Sequence, residues 1–132
     1  MEVLLAIKNM SKANQYHLHF RVIAREDGSR EPYIDTDTDA TGSTINSEVA
    51  NFMLLLGIRL TQSIIAEIYG CDPFNTSNEG FSIIGSYEET VEIYSPPARA
   101  VFNSGGDDVV IPLQDFIDIL NEWKAFLNSL SY

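Results

Sequence analysis

Asp37, Asp39 and Thr41 place oxygen-bearing side chains at alternate positions of one short loop, with Gly42 next and Glu48 further on. Counted from Asp37, these are positions one, three, five, six and twelve of a calcium loop of the EF-hand kind. There, hard oxygens surround the ion and glycine permits the sharp turn. Two departures weigh against a calcium site. Position eight is Thr44 instead of an apolar residue, and the segment entering the loop carries Gly28 and Pro32, which do not suit a helix. The same residue types also cap a loop's own backbone and the helix after it, Asp and Thr oxygens accepting from amides close by. Capping is therefore the expectation and calcium binding the alternative. His17 and His19 make a His-x-His pair, which turns two imidazoles to one side of a strand and could begin a zinc or copper site. Spacing supplies no third ligand; Cys71 and Asp35 qualify by residue type alone. Beside Arg21, the pair reads as exposed strand histidines. Cys71, the one cysteine, could act as a nucleophile if a histidine activated it, but a half-buried thiol without chemistry is expected. No Gly-x-Ser-x-Gly, phosphate loop or dinucleotide fingerprint is present. The expectation is no catalytic residue, no cofactor and no metal.

Recognition of a partner suits the remaining polar residues better. Tyr87, Glu88 and Glu89 follow Ile84, with Glu92 and Tyr94 just beyond. Strand alternation puts Thr90, Glu92 and Tyr94 on one face and turns Val91 and Ile93 to the core. Tyrosines anchor an interface while carboxylates steer a basic partner onto it. Asp35, Asp37 and Asp39 in one segment, and Asp107 and Asp108 in another, complete the candidate partner-binding set.

The elements that must hold these residues can be read from pattern. Leu18, Phe20, Val22 and Ala24 alternate with His17, His19, Arg21 and Arg25, which predicts a half-buried strand. Glu26-Asp27-Gly28-Ser29 is a turn, and Glu31 to Asp35 returns as a hairpin partner that Pro32 confines to an edge. Ile45, Val49, Phe52, Met53 and Leu56 form an apolar stripe at helical spacing, with Ser43 or Thr44 as N-cap. Leu60, Ile64, Ile65 and Ile68 continue it past Gly57. This is one helix bent near Gly57 or two abutting helices, closed by Gly70, and it is expected to be the spine of the fold. Short strands follow at 81–84, 90–94, 99–102 and 109–111, separated by turn chemistry, as in an antiparallel meander. An amphipathic helix from about Pro112 to Asn128 ends the chain, its stripe made by Phe116, Leu120, Trp123, Leu127 and Leu130. The run Val3 to Ile7 is compatible with strand or helix. The predicted class is α+β: one domain over 1–132, with an antiparallel sheet of about five to six strands, a central helix or bent helix pair, and a C-terminal amphipathic helix.

Composition sets the limits. At 132 residues, 45% apolar and 20% charged, the chain can bury one core and is neither disordered nor a rod. The longest apolar segment, Phe52 to Leu56, is too short to span a bilayer, so no membrane partner is expected. Glu2 and the five-residue run after it do not make a secretory signal, and a lone cysteine suits a reducing compartment. A cytoplasmic location is expected. Eight cations against 19 acids leave a net charge of −11, which disfavours direct binding to nucleic acid. Residues 1–30 carry +2 and residues 31–132 carry −13, an asymmetry that attracts a basic macromolecule.

The segment from Val110-Ile111-Pro112-Leu113 through the acidic helix to Trp123-Lys124-Ala125-Phe126-Leu127 resembles the ending of small bacterial immunity proteins of polymorphic toxin and contact-dependent growth inhibition systems. The resemblance spans residues 110–127. It implies a cytoplasmic protein that binds one cognate toxin domain and blocks its active site, or a surface beside it, without chemistry. It assigns no individual residue. Many such toxins are nucleases, which need a cationic surface for their substrate. The expected function is a stoichiometric inhibitor of a basic toxin domain of the nuclease class. The alternatives are a calcium-binding domain, an acidic DNA-mimic protein, and a small enzyme using His17, His19 or Cys71.

Overall fold

Alternation from Leu18 onward builds the first pair of strands. The computed structural model describes residues 11–71, 80–86, 89–103 and 108–130. A single helical turn, α1 (Lys12–Gln15), precedes β1 (Leu18–Ala24) and β2 (Arg30–Thr36), which pair antiparallel with Leu18 opposite Thr36 and Ala24 opposite Arg30. Gly28 supplies the left-handed φ of 87° that their turn requires. Asp27 accepts from both the amide and the hydroxyl of Ser29. The Val3 to Ile7 run lies outside the described residues.

The helical stripe beyond the acidic loop divides into α2 (Ser47–Met53) and α3 (Ile58–Gly70), bent by 112°. Gly57, in extended conformation, is the N-cap of α3, so two abutting helices form at the expected break. The boundaries differ from expectation at both ends. Asn46, not Ser43 or Thr44, precedes α2; its φ is 59° and its side-chain amide donates to Tyr16 O at 2.8 Å. That bond ties the start of α2 to the end of α1, which local capping preference cannot anticipate. Gly70 is the last residue of α3, and Cys71 follows it as the C-cap.

Four further strands, β3 (Phe81–Ile84), β4 (Thr90–Tyr94), β5 (Arg99–Phe102) and β6 (Val109–Pro112), form the predicted antiparallel meander in sequence order. The chain then enters α4 (Leu113–Ser129). Pro112 ends the last strand and is the N-cap of α4, because a residue without an N–H suits both a strand end and a helix start. The fold is α+β. Its described strands do not form the single sheet of five to six strands expected from sequence, but two antiparallel sheets of two and four.

The division has a packing cause. Phe20 of β1 meets Trp123 edge-on, centroids 4.9 Å apart, and Phe126 at 5.6 Å, so the hairpin lies against α4 and does not extend the meander. The meander turns Ile83, Val91, Ile93, Ala100, Phe102 and Ile111 inward, and Phe102 meets Phe116 of α4 edge-on at 5.2 Å. The helix that collects the other elements is therefore α4, not the 45–68 stripe, since α1, α3, β5 and β6 also pack on it. The indole N–H of Trp123 donates to Leu56 O at 2.9 Å, pinning the bend between α2 and α3. No single described helix is long and apolar enough to cross a membrane.

Glu122 fixes α1 to α4. Its carboxylate accepts from the amides of Lys12 at 2.8 Å and Ala13 at 3.1 Å, the donors that the first turn of a helix leaves free. Asp115, two turns earlier on the same face of α4, pairs with Lys12 Nζ at 3.3 Å and accepts from the Tyr16 hydroxyl. Burial, then the hydrogen bond to Asp115 and its charge, push the Tyr16 phenol up to about 12. Both acids thus serve to hold α1 on α4.

Candidate partner-binding surface

Alternation along four short strands leaves the meander one inner and one outer face. On the outer face the register sets Ser82, Glu92, Val101 and Val110 in one row, and Tyr94, Arg99 and Pro112 in the next. On this face Ile84 and Val110, on the two edge strands, are 65% and 53% exposed, whereas Val101 between Glu92 and Val110 is buried.

Polar groups on this face are organised around one ring. The Tyr94 hydroxyl donates to Glu92 Oε2 at 2.7 Å, and the Arg99 guanidinium lies 5.2 Å from the ring centroid. Arg99 also donates to Pro97 O at 3.0 Å, which fixes the guanidinium at the strand end. The hydrogen bond to Glu92 holds the Tyr94 phenol above its ordinary range; desolvation and the Glu92 charge add to this, Arg99 opposes it, and Asp108 contributes upward. Gly80 lies against the Cδ1–Cε1 edge of the ring. With φ at 101°, a Cβ there would stand 2.6 Å from Tyr94 Cδ1, so glycine is required for the tyrosine to lie down. The result is an aromatic ring held by Gly80 and the Arg99 guanidinium, with its hydroxyl on the Glu92 carboxylate.

Of the predicted set, Glu92, Tyr94 and Asp108 belong to this face or its border. Glu89 is half-buried in the β3–β4 turn, its backbone bonded to Gly85 and Ser86. Tyr87, Glu88 and Asp107 lie outside the described residues. Sequence reasoning passed over Ile84, Val110 and Arg99. The first two stand in apolar runs, Ile83-Ile84 and Val109-Val110-Ile111, where alternation gives no signal; the register with Tyr94 is what brings Arg99 in.

The aspartates of the hairpin segment are engaged separately. Asp35 pairs with Arg21 diagonally across the two-stranded sheet, as Glu31 does with Arg25. Asp37 receives both histidines: His19 Nε2 donates to its oxygens at 3.0 Å and His17 Nδ1 at 3.1 Å. The carboxylate beside the histidines is thus Asp37, not Asp35. His17 precedes the strand in a left-handed conformation, φ 66°, which swings its ring toward that carboxylate. Asp39 Oδ1 accepts from the amides of Thr41 and Ser43 and from the Thr41 hydroxyl, the self-capping arrangement expected of such a loop. Thr38 and Thr44 close the loop as an isolated bridge. A strand, not a helix, enters it. The described residues contain no group of three or more His, Cys, Asp or Glu side chains placed to hold a metal ion. Cys71 is exposed rather than half-buried.

Hydrogen bonds from His19 and then His17 hold the Asp37 carboxyl below its ordinary range. A depressed carboxyl contributes stability above its unfolded pKa, near 3.9, and loses it as pH falls through the lower folded value. Asp37→Asn is therefore expected to melt below the wild type at pH 6, with the gap closing as the pH is lowered past about 4. A gap in melting temperature that stays constant down to pH 3 would contradict the pairing.

Compared with known proteins, the chain matches no family model, no curated protein and no solved structure.

Proposed function

We propose that this chain is a stoichiometric inhibitor of the immunity-protein kind, cytoplasmic and without catalysis, which binds a cognate basic toxin domain of the nuclease class. The observation that carries the reading is the make-up of the outer face of the meander. That face carries Tyr94 hydrogen-bonded to Glu92, the charge of Asp108 acting on the same ring, and exposed Ile84 and Val110 on its two edge strands. An aromatic anchor with aliphatic neighbours supplies desolvated contact, and carboxylates at its margin steer a cationic surface. The net charge of −11 supports the same choice of partner, because it raises the encounter rate with a basic protein and repels nucleic acid. Asp35 and Asp37, both engaged within the hairpin, enter as contributors to this long-range field. The resemblance of residues 110–127 to immunity proteins adds the biological setting. An acidic DNA-mimic directed at a host nucleic-acid-binding protein would share the electrostatics; the exposed aliphatic pair favours a protein-shaped contact over imitation of a phosphate backbone.

The test is association with the C-terminal domain of the protein encoded immediately upstream. A one-to-one complex should form, block that domain's activity, and associate at least about tenfold more slowly in high salt than in low. A rate independent of ionic strength would refute steering, and the lack of any complex would refute the assignment.

A further inference from the structure

On a different part of the molecule, β2, the bend between α2 and α3, and the end of α4 enclose a groove of about 760 Å³. We propose that this groove binds a free amphipathic carboxylate, its apolar chain along Leu54, Leu55, Ile58, Leu60 and Leu127 and its head group on Arg59. The volume lies within the range of about 300–1,000 Å³ typical of small-molecule sites, and the walls are almost wholly aliphatic. Leu55 is 53% exposed beside it, so the groove leaves apolar surface in water when unoccupied. Two charged residues border it, Glu31 and Arg59. Glu31 is already neutralised by Arg25, whereas Arg59 is exposed and has no ion-pair partner among the described residues. The local excess charge is therefore positive, in a chain whose net charge is −11. Gly57 gives α3 no side-chain cap, so the positive helix end adds to the guanidinium at the same border. A cationic or neutral amphiphile would gain the aliphatic contact but not this pairing.

The chain carries its own reporter. Trp123 is the one tryptophan, and its indole N–H is bonded to Leu56, which lines the groove. Titration of the whole protein with dodecanoate below its micellar range should change Trp123 fluorescence saturably at one equivalent and raise the melting temperature. Dodecyltrimethylammonium, with the same tail and opposite charge, should bind at least about tenfold more weakly. Arg59→Gln should weaken dodecanoate by a similar factor without moving the melting temperature of the free protein, and Leu55→Asp should abolish saturable binding. Equal affinity for both amphiphiles, or indifference to Arg59→Gln, would overturn the proposal. So would binding of an apolar peptide where dodecanoate does not bind. The upstream-domain complex is scored separately, since dodecanoate binding does not depend on the meander face.

Discussion

Trp123→Ala is expected to destabilise the protein by about 3–5 kcal/mol, a large part of the roughly 5–15 kcal/mol that holds a domain of this size together. Trp123 is fully buried, with Phe20 edge-on at 4.9 Å and Phe126 stacked at 5.7 Å. The substitution opens a cavity at the junction of the hairpin, α4 and the α2–α3 bend. It also strips the Leu56 carbonyl of its indole donor; a buried acceptor left unpaired costs about 1–3 kcal/mol. The two losses occur at one site, so they overlap and do not simply add. Trp123→Phe separates them: it keeps most of the ring and removes the donor, and should cost about 1–3 kcal/mol. Urea unfolding followed by circular dichroism measures both. A Trp123→Ala cost below about 1 kcal/mol would mean that α4 is not the helix that joins the two sheets.

How much of this was legible in the sequence divides by range of interaction. Strand alternation from Leu18, the Asp-Gly turn, the four short meander strands and the stripe of α4 are each written in neighbouring residues, and they form where predicted. So does the break at Gly57. The split into two sheets is not local. It follows from Phe20 choosing Trp123 and Phe126 as neighbours, and those rings stand at the other end of the chain. Asn46 is read poorly for the same reason, since its side chain answers Tyr16 and not its own helix. At the candidate surface, period-two logic placed Thr90, Glu92 and Tyr94 opposite Val91 and Ile93 correctly, because only one side of that strand is buried. It failed for Ile84 and Val110, where apolar residues stand on both sides of the strand. Asp37 and its histidines were each noticed, but the diagonal across a twisted hairpin that joins His19 to Asp37 is a register effect beyond spacing.

On the outer face of the meander, anchor and steering groups should separate kinetically when changed. Tyr94→Ala is expected to weaken the proposed complex with a basic toxin domain by at least about 30-fold, the order of 2 kcal/mol at which a truncated aromatic counts as a hot spot. Nearly all of that should appear as faster dissociation, because the ring contributes only once the surfaces have met. Glu92→Lys combined with Asp108→Lys should act the other way. It should slow association about tenfold or more at low salt, with an effect that fades as ionic strength rises. Glu92→Lys also removes the acceptor of the Tyr94 hydroxyl, so Glu92→Gln serves as the neutral control that keeps an oxygen there. Glu26→Lys together with Asp27→Lys, in the hairpin turn, makes the same change in net charge on another element. If steering depends on where the carboxylates stand, the turn variant should lose far less than the sheet variant. Equal slowing by both would reduce the role of Glu92 and Asp108 to bulk charge. An unchanged dissociation rate for Tyr94→Ala would remove the meander face from the interface altogether.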